Sequence, residues 1–241
     1  MPELLEPSEW AVDRFGGCWG RVAPALYDAG LAAHERALDA KDASQLGSND
    51  AYGATYWLAL FEEVTERVGL LPEAWVVRPD RARYSLPCIG GTMLFPTRFG
   101  SRSQGVDHLR LSPSTLRSML LSPSNDRSMA NQQSLDLGPG FNDDIRLAPP
   151  HGVEQTVLVA YDCDPRSGLQ HIFTGDVRFD ACAGLVTWLY REELPISMMR
   201  GVGVLAAVDA DHERPFDDAP LPDLRMRLRN ETTAQSTDPL R

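Results

Sequence analysis

Several residue sets in this chain have types and spacings that chemistry uses. Asp162 and Asp164 flank Cys163 at the end of an apolar run, with Asp176 and Asp180 close behind. Paired carboxylates at a strand mouth can bind a cation or divide acid and base roles between them. Aspartate ahead of Pro165-Arg-Ser-Gly168 is also ordinary turn chemistry, and that is the favoured reading. Cys163 would be a nucleophile only as a thiolate, and neighbouring carboxylates raise a thiol's pKa rather than lower it. Glu35 and Asp39 stand one helical turn apart, as metal-binding acids do, but solvated helix acids share that spacing. Gly201-Val-Gly-Val-Leu-Ala206 matches a dinucleotide fingerprint with alanine in the third place. The Pro/Asp-rich stretch that follows leaves no room for the next helix and parallel strand, so nucleotide binding is not assigned.

The strongest anomaly is charge. The chain carries a formal net charge of -11. Between positions 78 and 127, however, eight arginines (78, 81, 83, 98, 102, 110, 117 and 127) face three aspartates (80, 107 and 126), so this stretch is +5 and the remainder -16. Such asymmetry means either an internal match with the protein's own acids or a surface for an anionic partner. Under the second reading Arg78, Arg83, Arg98, Arg102 and Arg110 are the candidate partner-binding residues, and an acidic protein or a nucleic acid is the expected partner.

Composition argues against several common chemistries. Lys41 is the single lysine, and no glycine-rich loop precedes it; a P-loop or a pyridoxal Schiff base needs a lysine in a specific context. The four cysteines form no Cys-x-x-Cys pair and no zinc-finger spacing, the five histidines are scattered singly, and there is no Gly-x-Ser-x-Gly elbow. No apolar run approaches the roughly 20 residues that span a bilayer, and the first nine residues lack a basic-then-apolar signal pattern. The expectation is a cytoplasmic protein with no membrane partner, no cofactor and reduced thiols.

The elements that would position these residues can be read from periodicity. Trp57, Leu60, Phe61, Val64, Val68 and Leu71 recur at three- and four-residue steps behind Asn49 or Asp50 as N-cap, which predicts an amphipathic helix ended by Gly69 and Pro72. A short aromatic helix is expected before position 20, and another over 24–43 begun by Pro24. Runs at 74–77, 84–89 and 92–98 read as strands, the last two joined by Gly90-Gly91 as a hairpin; Pro87 and Pro96 should then sit at edge or bulge positions. Residues 100–152 read as a flexible insertion with a short helix from Ser112-Pro113. Runs at 155–161, 169–173, 177–179 and 185–190 read as an antiparallel meander. The expected fold is one α+β domain over 1–211, with N-terminal helices on a mainly antiparallel sheet of five to seven strands, and a polar, disordered tail over 212–241.

A helix carrying an acid, then three strands, an insertion and another strand is the element order of the restriction-endonuclease-like core, which this chain resembles. The resemblance implies Glu63 or Glu66 as the helix acid and Pro79-Asp80 as the family's proline–aspartate step, together holding a divalent metal that activates water. The chain departs from the family's pattern on the next strand: 92–98 contains no acid, and only Arg98 could imitate the lysine of the Glu-x-Lys pair. The leading expectation is therefore a non-catalytic binding or accessory protein, with a metal-dependent or degenerate nuclease as the alternative.

Overall fold

Two hydrophobic periodicities build the molecule, one of four residues in the helices and one of two in the strands. The computed structural model describes residues 6–80, 82–99, 105–121 and 150–196, all within one compact unit. Its helices are α1 (Glu9–Phe15), α2 (Trp19–Ser44), α3 (Asp50–Gly69) and α4 (Thr115–Leu121). Along α3 every fourth residue from Tyr52 is sequestered: Tyr52, Tyr56, Leu60, Val64 and Val68 all have 0% exposure. Each such side chain contributes about 1.5–3 kcal/mol by burial, so this stripe anchors the helical layer on the sheet.

Two helix starts differ from expectation. Asn49 precedes α3 but its side chain makes no capping bond; Ser48 Oγ accepts from Asp50 N at 3.4 Å instead. Pro24 lies inside α2 rather than opening it, because a 3-10 turn (Gly16–Cys18) feeds the chain into helix at Trp19. An interior proline clashes with, and cannot bond, the carbonyl four residues back. Here that residue is Gly20, close to the helix start, and Pro24 is on the exposed face.

The main sheet is mixed and six-stranded, in the order β1-β2-β3-β4-β5-β8, with a separate β6-β7 pair. The strands are β1 (Ala74–Val77), β2 (Leu86–Ile89), β3 (Thr92–Phe99), β4 (Gln155–Asp164), β5 (Gly168–Gly175), β6 (Val177–Asp180), β7 (Leu185–Trp188) and β8 (Glu192–Glu193). All neighbours are antiparallel except β3 and β4, which run parallel from Thr92↔Gln155 to Phe99↔Asp162. A parallel pair needs a long crossover, and the connection through α4 supplies it. Helix α3, three antiparallel strands, α4 and a further strand thus occur in the order the sequence suggested.

The hairpin turn at Gly90-Gly91 has φ +54° and +81°, the left-handed pair a two-residue hairpin requires. Both expected edge prolines lie in internal strands. The β2–β3 ladder covers only Cys88↔Met93 and Ile89↔Thr92, so Pro87 and Pro96 fall outside it and neither has to donate across it.

The expected meander is broken at Gly175-Asp176. There the chain leaves the main sheet for β6-β7, and β5 pairs with the two-residue β8. Asp176 gathers the surrounding pieces: its carboxylate accepts from Trp10 Nε1 at 2.9 Å and from Arg14 at 3.2 and 2.8 Å, and its carbonyl accepts from Leu189 N at 2.8 Å. One core fills the space between the helices and the main sheet. A second lies between the opposite sheet face, α4 and the β6-β7 pair. Residues 122–149 of the insertion, the 197–208 run with its glycine motif, and the 212–241 tail lie outside the described residues.

Candidate functional site

The strand directions bring the chemistry-bearing residues to one end of the sheet. Because β1, β3 and β4 run the same way, the β1–β2 loop, the end of β3 and the end of β4 share that end. Helix α3 enters over it and the later part of α2 leaves over it. The β1–β2 loop is seated by Tyr84, stacked on Phe61 at 4.0 Å between centroids, and by Thr65 Oγ1, which donates to Ser85 O at 2.9 Å.

Arg98, near the end of β3, is turned to the helical side. Its Nε donates to Cys163 O at 3.0 Å, and its guanidinium lies 5.3 Å from the Tyr52 ring centroid and 5.8 Å from that of Tyr56. A cation over aromatic faces is held by their quadrupoles, so the two stacked tyrosines fix the arginine without a counter-ion.

Beneath it three heteroatoms from three elements close a triangle. Tyr52 Oη is 2.9 Å from His34 Nδ1 and 3.3 Å from Cys163 Sγ, and the Sγ–Nδ1 distance is 3.5 Å. Burial pushes the His34 pKa down, against the pull of Glu35 and Asp164. In the neutral tautomer protonated at Nε2, the Tyr52 hydroxyl donates to Nδ1 and the thiol can donate to Tyr52. Burial also pushes the Cys163 thiol up, with its hydrogen bond to Tyr52 and the charge of Arg98 opposing. The thiol is at 0% exposure, so it is neither ionised nor open to an electrophile. Tyr56 adds a fourth group: its hydroxyl is buried beside the same thiol but makes no hydrogen bond of ordinary geometry.

A buried hydroxyl without a partner carries a desolvation cost of about 1–3 kcal/mol. Tyr56→Phe, measured by urea denaturation, should therefore leave stability unchanged or raise it by about 1 kcal/mol. A clear loss would mean that the hydroxyl is already satisfied.

The strand-mouth aspartates divide between two settings. Asp164 accepts from Ser167 Oγ and from the backbone of Arg166 and Ser167, bonds that hold its pKa below the usual value; the turn-chemistry reading describes its contacts. Asp162 is on the opposite face across from His171, and burial raises its pKa although His171 and Arg98 draw it down. His171 Nδ1 meets Glu193 Oε1 at 2.6 Å.

The other sequence candidates are not all brought together. Arg78 and Arg83 are exposed at either side of the β1–β2 loop, with Arg78 Nε donating to Ala82 O at 3.3 Å. Arg110 is exposed on the other layer, its backbone bridged to Leu185, and Arg102 lies outside the described residues. Glu63 is held by Arg36 at 3.0 Å and Arg67 at 3.3 Å, whereas Glu66 and Asp80 are exposed. Among the described residues, no three His, Cys, Asp or Glu side chains are grouped to share a metal. No described helix is long and apolar enough to cross a membrane.

Sequence reasoning missed Tyr52 and Tyr56, although the four-residue step from Val68 back through Val64 and Leu60 leads to both. Nothing local linked His34 to Cys163, 129 positions apart. Comparison with known protein families, with characterised proteins and with solved structures finds no match.

Proposed function

We propose that the protein is a non-catalytic binding or accessory protein. It meets an acidic protein or a nucleic acid through arginines at the carboxyl end of β3 and the neighbouring β1–β2 loop. Arg78, Arg83 and Arg98 form the described part of this surface; Arg102 follows in the chain and Arg110 belongs to the adjoining layer. The observation that carries the reading is the absence of close ion pairs on these arginines among the described residues, although Asp162 and Asp164 feel the charge of Arg98. Arg14, Arg36, Arg67 and Arg191 each pair with a carboxylate of their own chain. Of Arg78, Arg83, Arg98, Arg110 and Arg117, none has a carboxylate from another described residue within the 4.0 Å of an ion pair. Arg21, Arg166 and Arg178 share that condition, but not a place in the +5 stretch. Leaving like charges unpaired on one segment costs stability through repulsion, and an anionic partner would relieve it.

The test is fluorescence anisotropy of the full chain against two probes across a salt series, a duplex DNA of random sequence and a polyglutamate peptide. Association with one probe that weakens steeply with salt supports the reading and identifies the partner class. Absence of salt-dependent association with both removes it.

The order of α3, β1–β3, α4 and β4 favours a second reading, a metal-dependent phosphodiesterase using Glu63, Glu66 and Asp80. It requires nucleic-acid cleavage with magnesium or manganese that is lost in Glu63→Gln. Because Glu63 is also an ion-pair partner of Arg36 and Arg67, the variant's folding must be verified by circular dichroism.

A further inference from the structure

We infer that the free edge of β1 is an interface between two copies of this chain, joined antiparallel about a two-fold axis with Val76 opposite the partner's Val76. The inference does not rest on the arginine reading and stands or falls separately from it.

β1 borders one side of the main sheet and β8 the other. Sheet edges are commonly blunted by charge, proline or a bulge. β8 is two glutamates, whereas β1 is Ala-Trp-Val-Val and carries neither charge nor proline. The neighbouring hairpin fixes which backbone groups β1 leaves open. Across the two-residue Gly90-Gly91 turn, the closing pair Ile89↔Thr92 exchanges its bonds within the hairpin, so Cys88 and Leu86 turn theirs toward β1. Their partners Trp75 and Val77 therefore face β2, and Ala74 and Val76 face outward. Two details agree. Ala74 N bonds Leu71 O at 3.1 Å, away from β2, and Pro87 opposite Val76 has no N–H to offer it. The Val76 N–H and C=O are thus left without a partner among the described residues.

The strand that fits this edge is the same strand reversed. Outward residues pair only with outward residues. A centre at Val76 gives each chain a bond from Val76 N–H to the partner's Val76 C=O, and one from Arg78 N–H to the partner's Ala74 C=O. Ala74 N–H, already held, is not needed. The same register sets Trp75 across from the partner's Val77 on one face; both are half-buried, and an aromatic opposite a β-branched residue is a favourable cross-strand pair. On the helical face Val76 is 50% exposed and Leu70, just past α3, is 80% exposed. A Cβ at Gly69 would stand 3.2 Å from Val76 Cγ2, so Val76 lies against the end of α3 beside Leu70, and the axis brings two such apolar patches together.

Charge is self-complementary too. Glu73 precedes the strand and Arg78 follows it, both exposed and neither held in an ion pair among the described residues. Reversal brings Arg78 alongside the partner's Glu73 at both ends of the pairing. A surface that matches itself under a two-fold is what an isologous dimer requires. The net charge of -11 on each copy opposes approach at long range, and physiological salt, with a Debye length of about 8 Å, screens it.

Sedimentation velocity of the full chain over a concentration series at physiological salt, with amide hydrogen exchange read at Val76, tests the pairing. Monomer should give way to dimer as concentration rises, and Val76 exchange should slow in step. Val76→Pro removes the outward N–H where an edge strand tolerates proline; it should keep its circular dichroism and stay monomeric. Glu73→Arg should weaken the dimer at least about tenfold by setting like charges together, and the charge swap Glu73→Arg with Arg78→Glu should restore it. Monomer at every concentration would overturn the pairing and leave the edge to a strand of another protein. A folded Val76→Pro variant that still dimerises, or a charge swap no tighter than Glu73→Arg alone, would overturn it equally. Should Val76→Pro fail to fold, Val76 exchange and the charge swap decide.

Discussion

Gly175→Ala is expected to cost at least about 3 kcal/mol, or to prevent folding altogether. A Cβ at Gly175 would stand 2.0 Å from the backbone oxygen of Tyr190 and 2.9 Å from Arg191 Cα. The obstacle is backbone, not the end of a flexible side chain. Nor can that backbone move aside: Leu189 N and Tyr190 N bond Asp176 O at 2.8 and 3.3 Å, and the Tyr190 ring stacks on Trp10 at 5.0 Å. Urea denaturation followed by circular dichroism measures the loss. Gly20→Ala provides the contrast. Its Cβ meets nothing within 4 Å in an exposed stretch of α2, and the substitution should stabilise by about 0.5–1 kcal/mol through helix propensity. Similar effects at both glycines would contradict the crossing at β5–β8.

Asp176→Ala carries the second large expectation, a loss of about 2–3 kcal/mol. The side chain satisfies Trp10 Nε1 and both bonding nitrogens of Arg14. The Arg14 and Asp176 side chains are 22% and 21% exposed. Breaking a fully buried pair costs about 3–5 kcal/mol because it strands the partner, and partial solvent access reduces that here. The loss should be centred on α1 and the β6-β7 junction. Arg14→Ala combined with Asp176→Ala should cost less than the sum of the two single changes, since each single change already removes the pair. Additive losses in a double-mutant cycle would contradict the contact. Because this junction also sends the chain into β6, hydrogen exchange should rise first in α1 and β6-β7.

The sequence was most legible where one physical rule acted alone. The four-residue step of α3 and the left-handed requirement at Gly90-Gly91 needed no tertiary information, and the strands at 74–77 and 155–161 followed from short apolar runs. It was least legible where distant segments decide. The parallel β3–β4 pairing depends on a crossover whose length hides which strands meet. Glu192 and Glu193 have no strand propensity, and they form β8 because β5 offers an edge after the chain turns at Gly175. Pro24 read as a helix start because proline is favoured in a first turn. An upstream 3-10 turn and an exposed face let α2 begin five residues earlier. At the candidate site, Arg98 was visible as charge, whereas its tyrosine seat was not: the phenols were passed over in a pattern counted on apolar residues.

The claim at the centre of this account is that the arginines at one end of the sheet, held in no close ion pair among the described residues, are available to an anion. The most direct measurement compares the wild type with the Arg78→Ala, Arg83→Ala, Arg98→Ala triple variant by anisotropy on the same duplex DNA and polyglutamate probes, at matched melting temperature. On DNA, each lost phosphate contact should flatten the dependence of log Kd on log salt by about 0.9, so the variant's slope should be shallower by roughly 2–3, with weaker binding at low salt. If polyglutamate is the probe bound, its affinity and salt dependence should fall in the same direction. Affinity and slope identical to wild type on whichever probe binds would contradict the account.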